Sequence, residues 1–194
     1  AGLRVKVATE RIKTACDTPY QRAMPNLDAP PFGSCGYGVG APFASGFGVG
    51  SYTGAADLFG DPLYVKLADP KQRREVIDAL PSLAFESGGM VVLREKERTG
   101  PDRTYLAMLS TNTRRAGGEN LHFVLYSDGE ILCPSMGSLY NAHGNADWVS
   151  PWANTIVVDR KPQQSSLGRI LAHDFAGPAQ MALLWVRSPT CPPA

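Results

Sequence analysis

Three histidines, His122, His143 and His173, are the side chains of this chain whose ordinary pKa lies near neutral pH. Proton transfer at working pH is therefore sought around them first. His143 stands in "YNAHGNADW" (140–148), a Gly/Asn-rich stretch of the kind that places functional side chains on loops. The plainer alternative is an ordinary surface loop. His122 lies inside the apolar run "NLHFVLYS" (120–127), where it either faces a site or is hydrogen-bonded beneath a covering layer. His173, between Leu171 and Phe175, reads as structural.

Several other chemistries are excluded by spacing. Gly36-x-Gly38-x-Gly40 and Gly46-x-Gly48-x-Gly50 lack the preceding strand and following helix of a dinucleotide fingerprint. No Gly-Lys-Ser/Thr forms a P-loop, and no Gly-x-Ser-x-Gly forms a nucleophile elbow. Cys16, Cys35, Cys133 and Cys191 are too far apart for a zinc ribbon or a C-x-x-C motif. Two disulfides are open to them in an oxidising compartment. A net charge of +1 argues against nucleic-acid binding, which needs clustered Lys and Arg. No run of apolar residues is long enough to span a membrane, and residues 1–6 carry no signal-peptide core.

The elements that would position such groups read as follows. At 194 residues, 43% hydrophobic and 19% charged, the chain can bury one sizeable core. Residues 31–60 read as a glycine-rich loop, pinned by Phe32, Tyr37, Phe43, Phe47 and Tyr52. Asp61-Pro62 and Asp69-Pro70 each place an N-cap acceptor before a proline at the first helical position. The second predicted helix puts Val76, Ile77 and Leu80 on one face and stops at Pro81. From residue 88 the period becomes extended, with strands predicted at 89–95, 104–109, 120–127, 130–133, 154–160, 169–175 and 179–187. Asp128-Gly129 is a two-residue hairpin signal, and the charge run 94–98 reads as a solvated hairpin end. Both faces of 120–127 are apolar, which predicts an antiparallel β-sandwich. Leu121, Phe123, Leu125, Ile156 and Val158 are expected in its core.

The order of these pieces resembles the junction of the helical toroid and β-sandwich in heparinase II/III-like polysaccharide lyases. In that family a Gly-Tyr-x-Val-Leu-Arg strand opens the sandwich; here Gly89 and Val91 to Arg94 correspond. A Leu-Ser-Phe-x-Leu-Tyr-x-x-Gly strand and turn follow, matched by Leu121 to Tyr126 with Gly129, then Pro134 and Gly137. A His-Asn-Thr-Val-x-Val-Asp-Gly-x-x-Gln strand is matched by Asn154 to Asp159 with Gln163, inside "WANTIVVDRKPQ" (152–163). The resemblance implies a mainly β fold: an antiparallel β-sandwich, preceded by a Gly-rich connector and short helices left from an α/α-toroid. It divides the chain into 1–80, helical remnant and connector, and 81–194, an incomplete sandwich.

It further implies an enzyme of the polysaccharide-lyase class, cleaving acidic glycans such as glycosaminoglycans or alginate by β-elimination, in the periplasm or outside the cell. A base must take the C5 proton, an acid must protonate the leaving O4, and the uronate carboxylate must be neutralised. Asn154 is a catalytic candidate because it keeps its family position, its plainer role being to cap the strand entry. His122, standing where the family has Ser beside the missing pair, and His143, on the loop leading there, are the other catalytic candidates. Tyr140 and Trp148 fit a sugar-stacking platform, Trp148 equally a loop anchor, and Arg115 could meet the carboxylate. Arg114 is a second candidate for the carboxylate; both arginines also fit solvated surface charge. Two departures stand out. The family's Gly-His-x-His-x-Asp stretch falls on 115–119 without either His, and its His before Asn-Thr is Ala153. Zinc, which some members bind near here, needs three or four ligands that spacing does not assemble, so no cofactor is expected. The competing reading is a non-catalytic relative that binds or supports carbohydrate.

Overall fold

The computed structural model describes residues 2–32, 49–110, 120–133, 154–156 and 168–186. Among these residues four helices come first: α1 (Gly2–Gln21), α2 (Val49–Phe59), α3 (Pro62–Ala68) and α4 (Pro70–Asp78). The last two begin where the Asp-Pro pairs predict. Asp61 accepts from the Leu63 amide at 3.0 Å and Asp69 from the Lys71 amide at 2.9 Å, so each carboxylate meets an orphan N–H of its first turn.

Helix α2 corrects the reading of 31–60 as loop throughout. Tyr52, Ala55, Ala56 and Phe59 recur at helical spacing, and Tyr52 and Ala55 are buried in one cluster with Tyr20, Ala23, Tyr64, Leu67 and Ile77. Burial of that stripe outweighs the helix-weakening Gly50 and Gly54. Helix α1, twenty residues long, is also more than the short helices expected.

Strands β1 (Leu83–Phe85), β2 (Met90–Arg94), β3 (Tyr105–Leu109), β4 (His122–Ser127) and β5 (Glu130–Ile131) form one antiparallel sheet in sequence order. Strands β6 (Gly168–Asp174) and β7 (Met181–Val186) form a second, two-stranded antiparallel sheet. Among the described residues the strand pairs are all antiparallel, as expected. Asp128 and Gly129 both have positive φ, 51° and 87°, which makes the β4–β5 connection the tight turn their sequence announces.

The register places Val92, Ala107 and Val124 side by side, with Arg94, Tyr105 and Tyr126 beside them on the same face. That face is covered by the chain leaving α1: Met24 is fully buried against it and Phe32 packs at its edge. The consequence is a correction. His122, Val124 and Tyr126 are the buried side of β4, whereas Leu121, Phe123 and Leu125, expected in the core, are only half-buried. Sequence alternation fixes which residues share a face, but the covering segment decides which face is inside.

Arg94, expected on a solvated hairpin end, is a second correction: it is 2% exposed. It stands two residues after Val92 in a strand, so alternation turns it inward, and backbone carbonyls receive its guanidinium. The remainder of that run does sit at the hairpin end, where Arg98 grips Glu95 at 2.9 Å and Asp128 at 2.8 Å.

Candidate functional site

The start of β4 is where the described candidates meet. Asn120 is buried and Leu121 adopts φ 57°, so the chain turns sharply into the strand. Asn154 lies alongside. Its side-chain amide donates to the Phe123 carbonyl at 3.1 Å and the Cys133 carbonyl at 2.7 Å, while the Phe123 N–H donates to the Asn154 carbonyl at 3.2 Å. The Thr155 hydroxyl donates to the Asn120 carbonyl. Residues 154–155 therefore stitch the beginning of β4 to the chain that follows β5. Ile156, expected in the core, is 66% exposed. The chain bends at 154–155, where the Asn154 and Thr155 side chains bond to the start of β4 and to the segment after β5.

His122 is one residue from the Phe123 that Asn154 grips, but its ring is on the buried side of β4. The imidazole is fully buried, opposite Leu109 in the sheet and edge-on to the Phe32 ring with centroids 5.2 Å apart. Neither ring nitrogen has a hydrogen-bond partner among the described residues. Burial without a compensating charge pushes its pKa down to about 4, so the ring is neutral at ordinary pH. In this arrangement it meets no polysaccharide unless the Phe32 segment moves.

His143, Tyr140, Trp148, Arg114 and Arg115 lie outside the described residues, as do Cys35, Cys191 and Val158. His173 stacks on Phe175 with centroids 4.7 Å apart, and its Nε2 is 3.3 Å from Glu86. Cys16 and Cys133 are free thiols. Among the described residues no group of three or more His, Cys, Asp or Glu is placed to hold a metal ion.

One polar cluster escaped the sequence reading. The Tyr64 hydroxyl donates to Asp17 at 2.6 Å and accepts from Lys13 at 3.1 Å, and Lys13 also reaches Asp61 at 3.1 Å. Burial and the Asp17 carboxylate push the Tyr64 phenol up to about 12, so it is a donor that holds α1 to α3 rather than a proton acceptor near neutral pH. Its four members come from positions 13, 17, 61 and 64, and only the helical i,i+4 spacing of Lys13 and Asp17 was visible beforehand.

No family model matches the sequence, and no curated protein matches it. Solved structures do. A heparinase III described as the BT4657 gene product superposes with a TM-score of 0.65 at 17% identity, over 85% of this chain and 26% of that one. A second heparinase III gives 0.64 at 14% identity, over 91% and 30%. The heparan sulfate lyase HepC from Pedobacter heparinus gives 0.68 at 13% identity, over 87% and 27%. The chain therefore spans less than a third of the length of these enzymes. Over that part the chain shares the fold of these heparinase-like lyases.

Proposed function

We propose that this chain is part of a polysaccharide lyase that cleaves uronic-acid-containing glycans by β-elimination, in the periplasm or outside the cell. The observation that carries the reading is the superposition on heparinase III and heparan sulfate lyase structures over most of the chain. In such a reaction a base removes the proton on C5 and the freed electron pair forms the C4–C5 double bond. The C4–O4 bond breaks, and an acid protonates the leaving O4. His143 and Asn154 are assigned to the face where this occurs, with Tyr140, Trp148 and Arg115 contacting substrate. His122 precedes Phe123, whose carbonyl Asn154 holds, and its ring is buried edge-on to Phe32, so it serves catalysis only if it is uncovered. A general acid or base of this kind supplies about 10²–10⁴-fold in rate.

A specific observation supports the second reading, a carbohydrate-binding relative without catalysis. His122 is buried, and the Asn154 side-chain amide already donates to two backbone carbonyls. The test is a panel of heparan sulfate, other glycosaminoglycans and alginate, incubated with the full-length gene product that carries these residues. Appearance of unsaturated uronate ends supports the lyase. Retention on an immobilised glycan without any such ends supports the binding relative.

A further inference from the structure

We propose that Arg94 is a positioning residue: its guanidinium fixes the angle at which the helical segment meets the five-stranded sheet. The effect on rate rests on the function proposed above; the clasp itself does not.

The end of α1 leaves carbonyls without helical partners. Arg94 Nη2 donates to two of them, Gln21 at 2.7 Å and Ala23 at 3.1 Å, and Nη1 donates to the Pro81 carbonyl at 2.8 Å. The carbonyl between, Arg22, accepts from the Tyr105 hydroxyl at 2.7 Å, and the Arg94 guanidinium lies over the Tyr105 ring at 5.4 Å. Three successive carbonyls, 21 to 23, are thus held by two neighbouring residues of the sheet. The Arg94 backbone ties in a third piece. Its N–H donates to the Ser82 hydroxyl at 2.8 Å, and its carbonyl accepts from the Gln180 side chain, just before β7, at 2.8 Å.

The chemistry of the site favours geometry over stability as the role. Among the described residues this buried guanidinium meets carbonyl dipoles and a ring face and no carboxylate, which makes it costly to desolvate, and burial draws the pKa of Arg94 down to about 10. An apolar side chain of similar size would fill the space without that cost. It would not supply a rigid planar fork with donors aimed at two segments at once. Arg103 makes a parallel attachment, donating to the backbone carbonyls of Asp78 at 3.0 Å and Leu80 at 3.3 Å at the end of α4. One attachment therefore survives the loss of the other, so a variant at Arg94 should fold with a looser junction.

The experiment compares Arg94→Met and Arg94→Lys in the full-length protein, with Tyr105→Phe as a milder variant should Arg94→Met fail to fold. Amide hydrogen exchange is followed at 22–27 and in β3 and β4, together with kcat and KM at a temperature where circular dichroism shows full folding. Exchange at 22–27 should rise about tenfold or more while β3 and β4 are unchanged, the signature of a local opening. The lyase reading adds a fall in kcat of about 10²-fold, the usual consequence of misplacing groups by an ångström. Arg94→Lys should recover part of both. Wild-type exchange at 22–27 in Arg94→Met, or in Tyr105→Phe where that is the folded variant, overturns the clasp. So does a rate loss that follows only the unfolded fraction. A wild-type protein that releases no unsaturated uronate refutes the lyase reading alone, and the exchange arm then decides the clasp by itself.

Discussion

Replacing His122 with leucine should make the protein more stable and less sensitive to acid. The imidazole is fully buried beside Phe32, both nitrogens lack partners among the described residues, and its pKa falls from the ordinary 6.5 to about 4. The unfolded chain takes up a proton as pH drops below about 6.5, whereas the folded chain resists until about 4. Stability is therefore intact above the upper value, is lost as pH falls between the two, and is level below the lower one. A difference of about 2.5 at ~1.36 kcal/mol for each pH unit gives a loss of about 3 kcal/mol attributable to this group. Leucine removes that titration. It also removes the cost of two unpaired polar atoms, an expected gain of about 1–3 kcal/mol at neutral pH. Urea unfolding followed by circular dichroism, at a series of pH values across the window, reads both quantities. A His122→Leu protein that is less stable at neutral pH and keeps the wild-type acid slope would refute the reasoning, because the ring would then have partners that matter.

Asn154→Ala should cost about 1–3 kcal/mol and speed exchange of the Phe123 amide, since two carbonyls lose their donor; unfolding curves and exchange spectra check it. Asp61→Ala and Asp69→Ala should each cost about 1 kcal/mol, and the Asn variants much less, by the same unfolding assay. Gly129→Ala should cost about 1–2 kcal/mol because its φ of 87° strains any side chain, although the space around a Cβ is ordinary. The Arg98 and Thr104 donors hold the Glu95 carboxyl down to about 2, so its contribution is present above its ordinary 4.5 and is lost as pH falls from there toward 2. Glu95→Gln should flatten that stretch of the acid-unfolding profile.

What the sequence revealed and what it concealed follow from the range of the forces involved. The Asp-Pro caps and the Asp-Gly turn act within four residues, so they were legible and stand where expected. Alternation along β4 correctly grouped His122 with Val124 and Tyr126. Which group faces inward depends on Met24 and Phe32, about a hundred residues upstream, and no local pattern reports that. Helix α2 did carry a signal, the 52-55-56-59 stripe, masked by the glycines around it. Arg94 was hidden by its charged neighbours, although its place two residues after Val92 pointed inward. Asn154 was picked out by resemblance, yet its two carbonyl partners lie 31 and 21 residues away, beyond any spacing rule. Gly168 belongs with these: a Cβ there would collide with the Ser110 carbonyl, a constraint visible only once β6 is laid beside the end of β3.

The central claim, elimination rather than hydrolysis or mere binding, is tested most directly by the cleavage products. The full-length gene product carrying these residues is incubated with uronate-containing polysaccharides in water enriched in heavy oxygen, and the new ends are weighed by mass spectrometry. β-Elimination predicts an unsaturated uronate at one end and no solvent oxygen across the broken bond. Saturated ends carrying solvent oxygen, or no cleavage of any polysaccharide in the panel, would contradict it.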